Sequence, residues 1–237
     1  MIFHTARGVE HGSKAGGFAA VVPLPGAGDL SGLKQAGSGI LFGTPIMEYL
    51  WPDGPDLNRQ LRESILEHAR RNPGMKLTNV GGWHSETGRL EFCGAAGERL
   101  IQHINAMTEE ATRRLYAEFG LTAGPPQWSL TAWANINRRG DYNNMHTHPT
   151  ATWSGVYYVD AGESKPSAEG TAIQLYDPNP ARSNIFFPEV PTANFRFRPQ
   201  PGLMILFPSY LPHGVPPHQG DRPRISIAFN QRKEPFP

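Results

Sequence analysis

The spacing of apolar residues along the chain changes period once, near its middle. In "DLNRQLRESILEHARR" (56–71) Leu57, Leu61 and Ile65 recur at helical intervals, with Asp56 placed as N-cap and Asn72-Pro73-Gly74 as the stop. In "GERLIQHINAMTEEATRRLYAEFG" (97–120) a longer stripe runs through Leu100, Ile104, Met107, Ala111, Leu115 and Phe119, and Gly120 is a natural C-cap. After Gly124-Pro125-Pro126 the period drops towards two. Short β-rich runs follow at 128–137, 142–148, 152–160, 171–177, 194–199, 203–208 and 224–230. Turn signals separate them, among them Arg139-Gly140-Asp141, Asp160-Ala161-Gly162, Asp177-Pro178-Asn179-Pro180 and Gln200-Pro201-Gly202.

Many short strands at near-regular spacing predict a mostly β fold, a jelly roll or double-stranded β-helix, with the two helices covering one sheet face as a buttress. Residues 1–37, rich in Gly and Ala, read as an N-terminal extension with one short strand at "FAAVVPL". "GILFGTPIMEYLW" (39–51) reads as a strand broken by Pro45. The domain then spans 38–237, with the buttress at about 56–120 and the β core at about 128–230. No internal repeat and no interdomain linker is visible.

Composition narrows the function classes. With 26 Gly and 23 Pro in 237 residues, turns and short strands are favoured over a helical bundle. The 22 basic and 21 acidic residues leave a net charge of +1, which argues against nucleic acid or an anionic membrane as partner. His4, Arg7, Glu10 and His11 interrupt any signal-peptide core, and no apolar run reaches membrane-spanning length. A soluble, cytoplasmic protein is expected. Cys93 is the one cysteine, so no intrachain disulfide can form, and it reads as a packing residue in a reducing compartment. A homodimer is compatible with the exposed edges and faces of large sheets, although no residue specifies one.

The chemistry concentrates in "NNMHTHPTATWSGVYYVDAG" (143–162). On a strand His146 and His148, at i and i+2, share one face with Cα atoms about 6.5 Å apart. Both can then reach one ion. A third ligand would come from another strand. His213 fits, after the run 203–208 and a Pro-Ser-Tyr-Leu-Pro turn; His218 is a weaker candidate. The plainer alternative makes His146 and His148 polar residues beside a turn. His68 and His103 read as helix histidines without a ligand role. In "RISIAFN" (224–230) alternation sends Ile225, Ile227 and Phe229 to the core and Arg224, Ser226, Ala228 and Asn230 to the other face. An arginine inside a barrel calls for an anionic partner, and a ligand carboxylate meets its two-pronged donor geometry. Alternatively Arg224 lies at the strand end and reaches water.

With these residues in place the chain resembles the 2-oxoglutarate/Fe(II)-dependent oxygenases. Their double-stranded β-helix carries H-x-D/E, a distal His, and an Arg about ten residues later in an R-x-S pattern. Here these stand as His146-Thr147-His148, His213 and Arg224-Ile225-Ser226. A bacterial and phage branch is most similar, through "LFGTPI", "NVGGWHS", "HTHP", "SGVYYV", "FPSYLPHGVPP" and "RISIAFN", from about Leu41 to Asn230. The resemblance implies a dioxygenase using Fe(II), 2-oxoglutarate and O2. It would decarboxylate 2-oxoglutarate to succinate and CO2 while oxidising, by hydroxylation, an unidentified small molecule or peptide. It implies His146, His148 and His213 as metal ligands and Arg224 and Ser226 as the seat of the distal carboxylate. The departure is His148, where the family has an acid. Either three imidazoles hold the metal, which the spacing permits, or His148 stands behind the ligands and water takes its place.

Candidate pocket residues are Trp83 and His84 in a Gly-rich loop, Asn135, Tyr142 and Asn144 on neighbouring runs, Trp153, Tyr157 and Tyr158 after the two histidines, and Gln174. His84 stands out, because neither a turn nor a core requires an imidazole there. Two other readings compete. In a cupin-type metalloenzyme Gly140, His146 and His148 would form the opening motif, yet Thr152 and Trp153 stand where its glutamate belongs. A non-catalytic jelly-roll binding domain would hold no metal.

Overall fold

The computed structural model describes residues 43–121, 127–162, 172–179 and 194–234. The expected strand at "FAAVVPL", the rest of the 1–37 extension and the Gly124-Pro125-Pro126 punctuation lie outside the described residues. Within them two helices precede most of the strands. Helix α1 is Gly54–Arg71 and helix α2 is Gly94–Glu118. The strands are β1 (Met47–Leu50), β2 (Asn79–Val80), β3 (Trp83–His84), β4 (Trp128–Asn137), β5 (Tyr142–His146), β6 (Trp153–Asp160), β7 (Ile173–Tyr176), β8 (Asn194–Phe197), β9 (Leu203–Pro208), β10 (His213–Val215) and β11 (Arg224–Lys233).

These strands form two antiparallel sheets, one in the order β1-β9-β6-β11-β4-β3 and the other in the order β2-β5-β10-β7-β8. This is the expected double-stranded β-helix. The alternation of side chains along the first sheet builds two apolar layers. One face, with Ala132, Ala134, Ile136, Tyr157, Met204, Ile225, Ile227 and Phe229, packs on Leu57, Leu61 and Ile65 of α1 and Leu100, Ile104, Met107 and Ala111 of α2. The other face turns Val156, Tyr158, Leu203, Ile205 and Phe207 towards Ile173 and Leu175 of β7 and Phe197 of β8. No helix among the described residues is long and apolar enough to cross a membrane.

The helix ends differ from the sequence reading in three places. Asp53, not Asp56, is the N-cap of α1, because Pro55 favours the first helical turn and shifts the start. Asp56 sits inside that turn, where its negative charge suits the helix dipole. The Asp53 carboxylate makes no cap bond; it lies 3.1 Å from His103 Nε2 and 3.5 Å from an Arg99 nitrogen. Helix α2 begins three residues before Gly97. Phe119 is 72% exposed and leaves the apolar stripe, since the helix ends beneath it. Gly120 does terminate α2, with φ +66° and the Leu121 N–H donating to the Tyr116 carbonyl.

One glycine is required by packing. A Cβ on Gly155, in β6, would lie 2.6 Å from the Ile205 carbonyl oxygen of β9 and would run into the Phe229 ring of β11. Gly155→Ala is therefore expected to destabilise the fold by about 1–3 kcal/mol, the range for overpacking a core. A lowered urea midpoint at an unchanged slope would show it, and an unchanged midpoint would refute this account of the β6–β11 packing.

Candidate functional site

The inner face of the first sheet and the second sheet enclose a pocket. Its wall includes Trp133, Asn135, His146, His148, Tyr158, Phe207, His213, Arg224, Ser226 and Ala228. The three histidines come together at one end. His146, the last residue of β5, pairs directly with His213, the first of β10. Their ring centroids are 4.3 Å apart, and His148 stands 4.8 Å from His146 and 5.1 Å from His213. One ring nitrogen from each lies within 4.8 Å of the other two. No other such His, Cys, Asp or Glu cluster occurs among the described residues.

His148 reaches this place by a route other than the expected one. β5 ends at His146, so the two histidines do not share a strand. The His148 N–H instead donates to the Ser209 carbonyl at 3.0 Å, and the Ala151 N–H donates back to the His148 carbonyl at 3.0 Å. That is a β-turn with Pro149 at its second position, where the fixed φ of proline is favoured. The turn swings the His148 ring back over the pair.

Backbone carbonyls fix the tautomers. His146 Nδ1 lies 2.7 Å from the Asn144 carbonyl and His213 Nδ1 lies 2.9 Å from the Leu211 carbonyl. A ring nitrogen can only donate to a carbonyl, so both carry the proton on Nδ1 and keep the Nε2 lone pair. Burial favours the neutral rings. It lowers the pKa of His146, brings that of His148 to about 4 with help from the neighbouring His146, and that of His213 to about 3 with help from both neighbours. Three neutral imidazoles with two lone pairs fixed in place suit Fe, Zn, Cu or Ni. The donor set therefore fits a ferrous ion. Among the described residues the pocket wall contains no carboxylate that could replace the missing acid.

The opposite end is cationic. Arg224 opens β11 and is 2% exposed. It pairs in register with Asn137 of β4, and one guanidinium nitrogen donates to Asn137 Oδ1 at 2.9 Å. Burial pushes its pKa down, while the Tyr158 hydroxyl and the Asp141 carboxylate favour the charge. The parity expected for β11 holds, with Ser226 and Ala228 beside Arg224 on the pocket wall. The alternative in which Arg224 reaches water does not hold.

Residues 131–230 match the family model described as "Putative 2OG-Fe(II) oxygenase", and this stretch contains all three histidines, Arg224 and Ser226. Over that stretch, the β core, the chain is similar to the 2OG-Fe(II) oxygenases. No curated protein matches it at a significant level. Among solved structures it is similar in fold to a prolyl-4-hydroxylase from Pseudomonas putida, with TM-score 0.56, 15% identity, and coverage of 81% of this chain and 94% of that one. A Trichoplax adhaerens prolyl hydroxylase, solved with a hypoxia inducible factor peptide fragment, gives TM-score 0.52, 14% identity and coverage of 79% and 83%. HygX from Streptomyces hygroscopicus, solved with nickel and 2-oxoglutarate, gives 0.52, 12%, 81% and 84%.

Most of the other candidate residues lie elsewhere. Of the suggested pocket set, Asn135 and Tyr158 line the wall. Trp83 packs in the helix-side core and donates its indole N–H to the Asn72 carbonyl. Trp153 and Tyr157 face the same core, Trp153 donating to Thr112 Oγ1. The side chains of Tyr142, Asn144 and Gln174 are not in the wall, although the Asn144 carbonyl holds His146. His84 is also outside it, but stacks on Trp133 with ring centroids 5.6 Å apart and 12° between planes, and the Trp133 edge meets His148 at 5.9 Å. Nothing in the sequence reading singled out Trp133, Asn137 or Phe207; knowing that 133, 135 and 137 share a strand face with the paired Arg224 would have found the first two. His218 is buried and lies 2.7 Å from the Arg222 carbonyl through Nε2, so it holds its own loop. His68 and His103 stack on Phe92 and Trp51, as helix histidines would. Cys93 is buried, and burial pushes its thiol up to about 12.

The lowered imidazole pKa values set a pH dependence for the metal-free protein. The unfolded chain takes up protons at His148 and His213 near pH 6.5, whereas the folded chain does so only near pH 4 and 3. Between those limits the unfolded state binds more protons, so stability falls as pH falls. The thermal midpoint of metal-free protein is expected to drop from pH 7 to pH 4.5, and His213→Asn should flatten that slope. A wild-type midpoint that rises on acidification would contradict the site's electrostatics.

Proposed function

We propose that the protein is a 2OG-Fe(II) oxygenase that holds Fe(II) through His146, His148 and His213, seats the distal carboxylate of 2-oxoglutarate on Arg224 and Ser226, and hydroxylates a small molecule or peptide. The observation that carries the reading is the pairing of His146 with His213 at one end of a pocket whose other end is the buried Arg224. Bound Fe(II) and 2-oxoglutarate would supply activation of O2, with decarboxylation of the cosubstrate to succinate and CO2. The protein residues supply placement and surroundings. Nδ1–H donation from His146 and His213 to backbone carbonyls aims their lone pairs inward. Phe207, edge-on to His213 at 4.9 Å, and Trp133 beside His148 keep the ligand rings in apolar surroundings. Arg224 and Ser226 offer charge-assisted and hydroxyl donors to a carboxylate at a fixed distance from the histidines.

The charge balance supports a dianionic cosubstrate. A three-imidazole site keeps the full +2 of the metal, and Arg224 adds a further charge within the same pocket. A cytoplasmic location belongs to the same reading, since a lone buried cysteine suits a reducing compartment.

The test is anaerobic titration of Fe(II)-loaded protein with 2-oxoglutarate, following the visible charge-transfer band of the chelate. Wild type should give the band, and His146→Ala and His213→Ala should abolish it. Arg224→Ala should weaken 2-oxoglutarate at least tenfold while sparing iron. His148→Asp, which restores the family's acid, should keep both iron and band. Iron binding without a band in wild type would sink the cosubstrate assignment, and a full band in His213→Ala would sink the ligand assignment.

A further inference from the structure

One serine joins the two turns that lead to His148 and His213. The first turn runs from His148 to Ala151. The second runs from Pro208 to Leu211, closed by the Leu211 N–H donating to the Pro208 carbonyl at 3.0 Å. The last residue of this second turn supplies the carbonyl that holds His213 Nδ1. Ser209 lies within the second turn, 4% exposed, and gives all three of its polar groups to the first turn and its flank. Its carbonyl accepts the His148 N–H at 3.0 Å, its N–H donates to the Thr152 carbonyl at 3.1 Å, and its hydroxyl donates to the Ala151 carbonyl. His148 needs such a hold more than its partners do. Nδ1 of His146 and of His213 is fixed by a backbone carbonyl, whereas no such carbonyl fixes the His148 ring among the described residues. A carboxylate offers two oxygens with about four lone-pair sites, and an imidazole offers one lone pair in the plane of its ring. An imidazole at position 148 therefore tolerates less displacement than an acid would.

We infer that Ser209 is a positioning residue for the metal site, its hydroxyl locking the His148 turn onto the Pro208–Leu211 turn and so fixing the His148 ring relative to His213. This rests on the reading of His148 as a ligand. The two backbone bonds, at His148 and at Thr152, can form with other residues at position 209. Two attachments define an axis about which the turn can rock. The hydroxyl bond to Ala151 is a third attachment, and it removes that freedom. A ring carried at the start of the turn then keeps its lone pair on line, which a ligand with a single donor direction requires.

The experiment titrates metal-free protein with Co(II), a divalent ion that nitrogen ligands take somewhat more tightly than Fe(II) and whose visible d–d bands report its ligands. Affinity and spectrum are compared for wild type, Ser209→Ala, His148→Ala and the double variant, with Ser209→Thr as the conservative replacement. The expected result is Co(II) affinity at least tenfold weaker in Ser209→Ala, with bands moved towards those of His148→Ala, and recovery of most of that loss in Ser209→Thr, which keeps the hydroxyl. In the His148→Ala background Ser209→Ala should cost less than twofold more, because a residue that acts through His148 has nothing left to act on. Wild-type affinity and spectrum in Ser209→Ala would overturn the inference. An equal loss in both backgrounds would overturn it too, since Ser209 would then support the fold and not this ligand. If Ser209→Ala does not fold, Ser209→Cys, whose thiol is a weak donor, must show the same loss, and wild-type affinity there is equally fatal. Unchanged Co(II) affinity in His148→Ala would instead remove the ligand reading, and the inference with it, which sets that failure apart from the others.

Discussion

The interior of this protein is organised around one guanidinium. Arg224 is buried between two sheets, and taking a charge out of water costs roughly several kcal/mol even after relaxation. The fold meets that cost with neighbours in register. Asn137 accepts a hydrogen bond from across the β4–β11 pair, and the Tyr158 hydroxyl and Asp141 carboxylate lie close enough to favour the charge. Tyr158 comes from β6, on the other side of β11, where pairing passes from Ser226–Tyr158 to Ile225–Asp160 and skips a residue of β6. The irregularity falls beside the arginine, consistent with bulges being used to re-aim side chains near sites. Gly162 packs against the start of β11, since a Cβ there would lie 2.6 Å from the Arg224 backbone nitrogen.

The metal end follows a different rule. Nothing there is charged, because burial keeps all three imidazoles neutral. A carboxylate at position 148 would have brought its own negative charge into the pocket, whereas an imidazole brings only a lone pair. On the proposed reading the site is electrically quiet until a cation binds, and would then be strongly positive, with Arg224 reinforcing it from the far end. Selection for an anion would therefore be a property of the whole pocket and not of Arg224 alone.

Much of this was legible in the sequence. Period-two alternation located the edges of β4 and β9 to the residue and put Ile225, Ile227 and Phe229 on the core side. The helical stripes found both helices. What alternation cannot read is where a strand stops. It placed His148 on β5, and the residue proved to sit in the turn opened by Pro149, a residue that was itself in view. It also cannot say which of two buried faces meets the pocket. Trp153 and Tyr157 went to the helix side, while Tyr158, their neighbour, went to the pocket. In a strand buried on both faces the two readings have the same hydrophobicity, and only the position of the helices separates them.

His84 shows how a residue can matter to the site without entering it. Its ring lies nearly parallel to Trp133, and Nδ1 is held 2.5 Å from the Ser85 carbonyl. The Ser85 hydroxyl in turn accepts the Ala134 N–H, so that β3 and the residue after it are tied to β4 directly following Trp133. Trp133 then presents its edge to His148. His148 is the one histidine of the three that a turn, not a strand, delivers, so it depends most on side-chain packing for its position. The imidazole at position 84, with neither turn nor core logic in the sequence, gains a physical reason here. It braces the indole against which the turn-borne His148 is set.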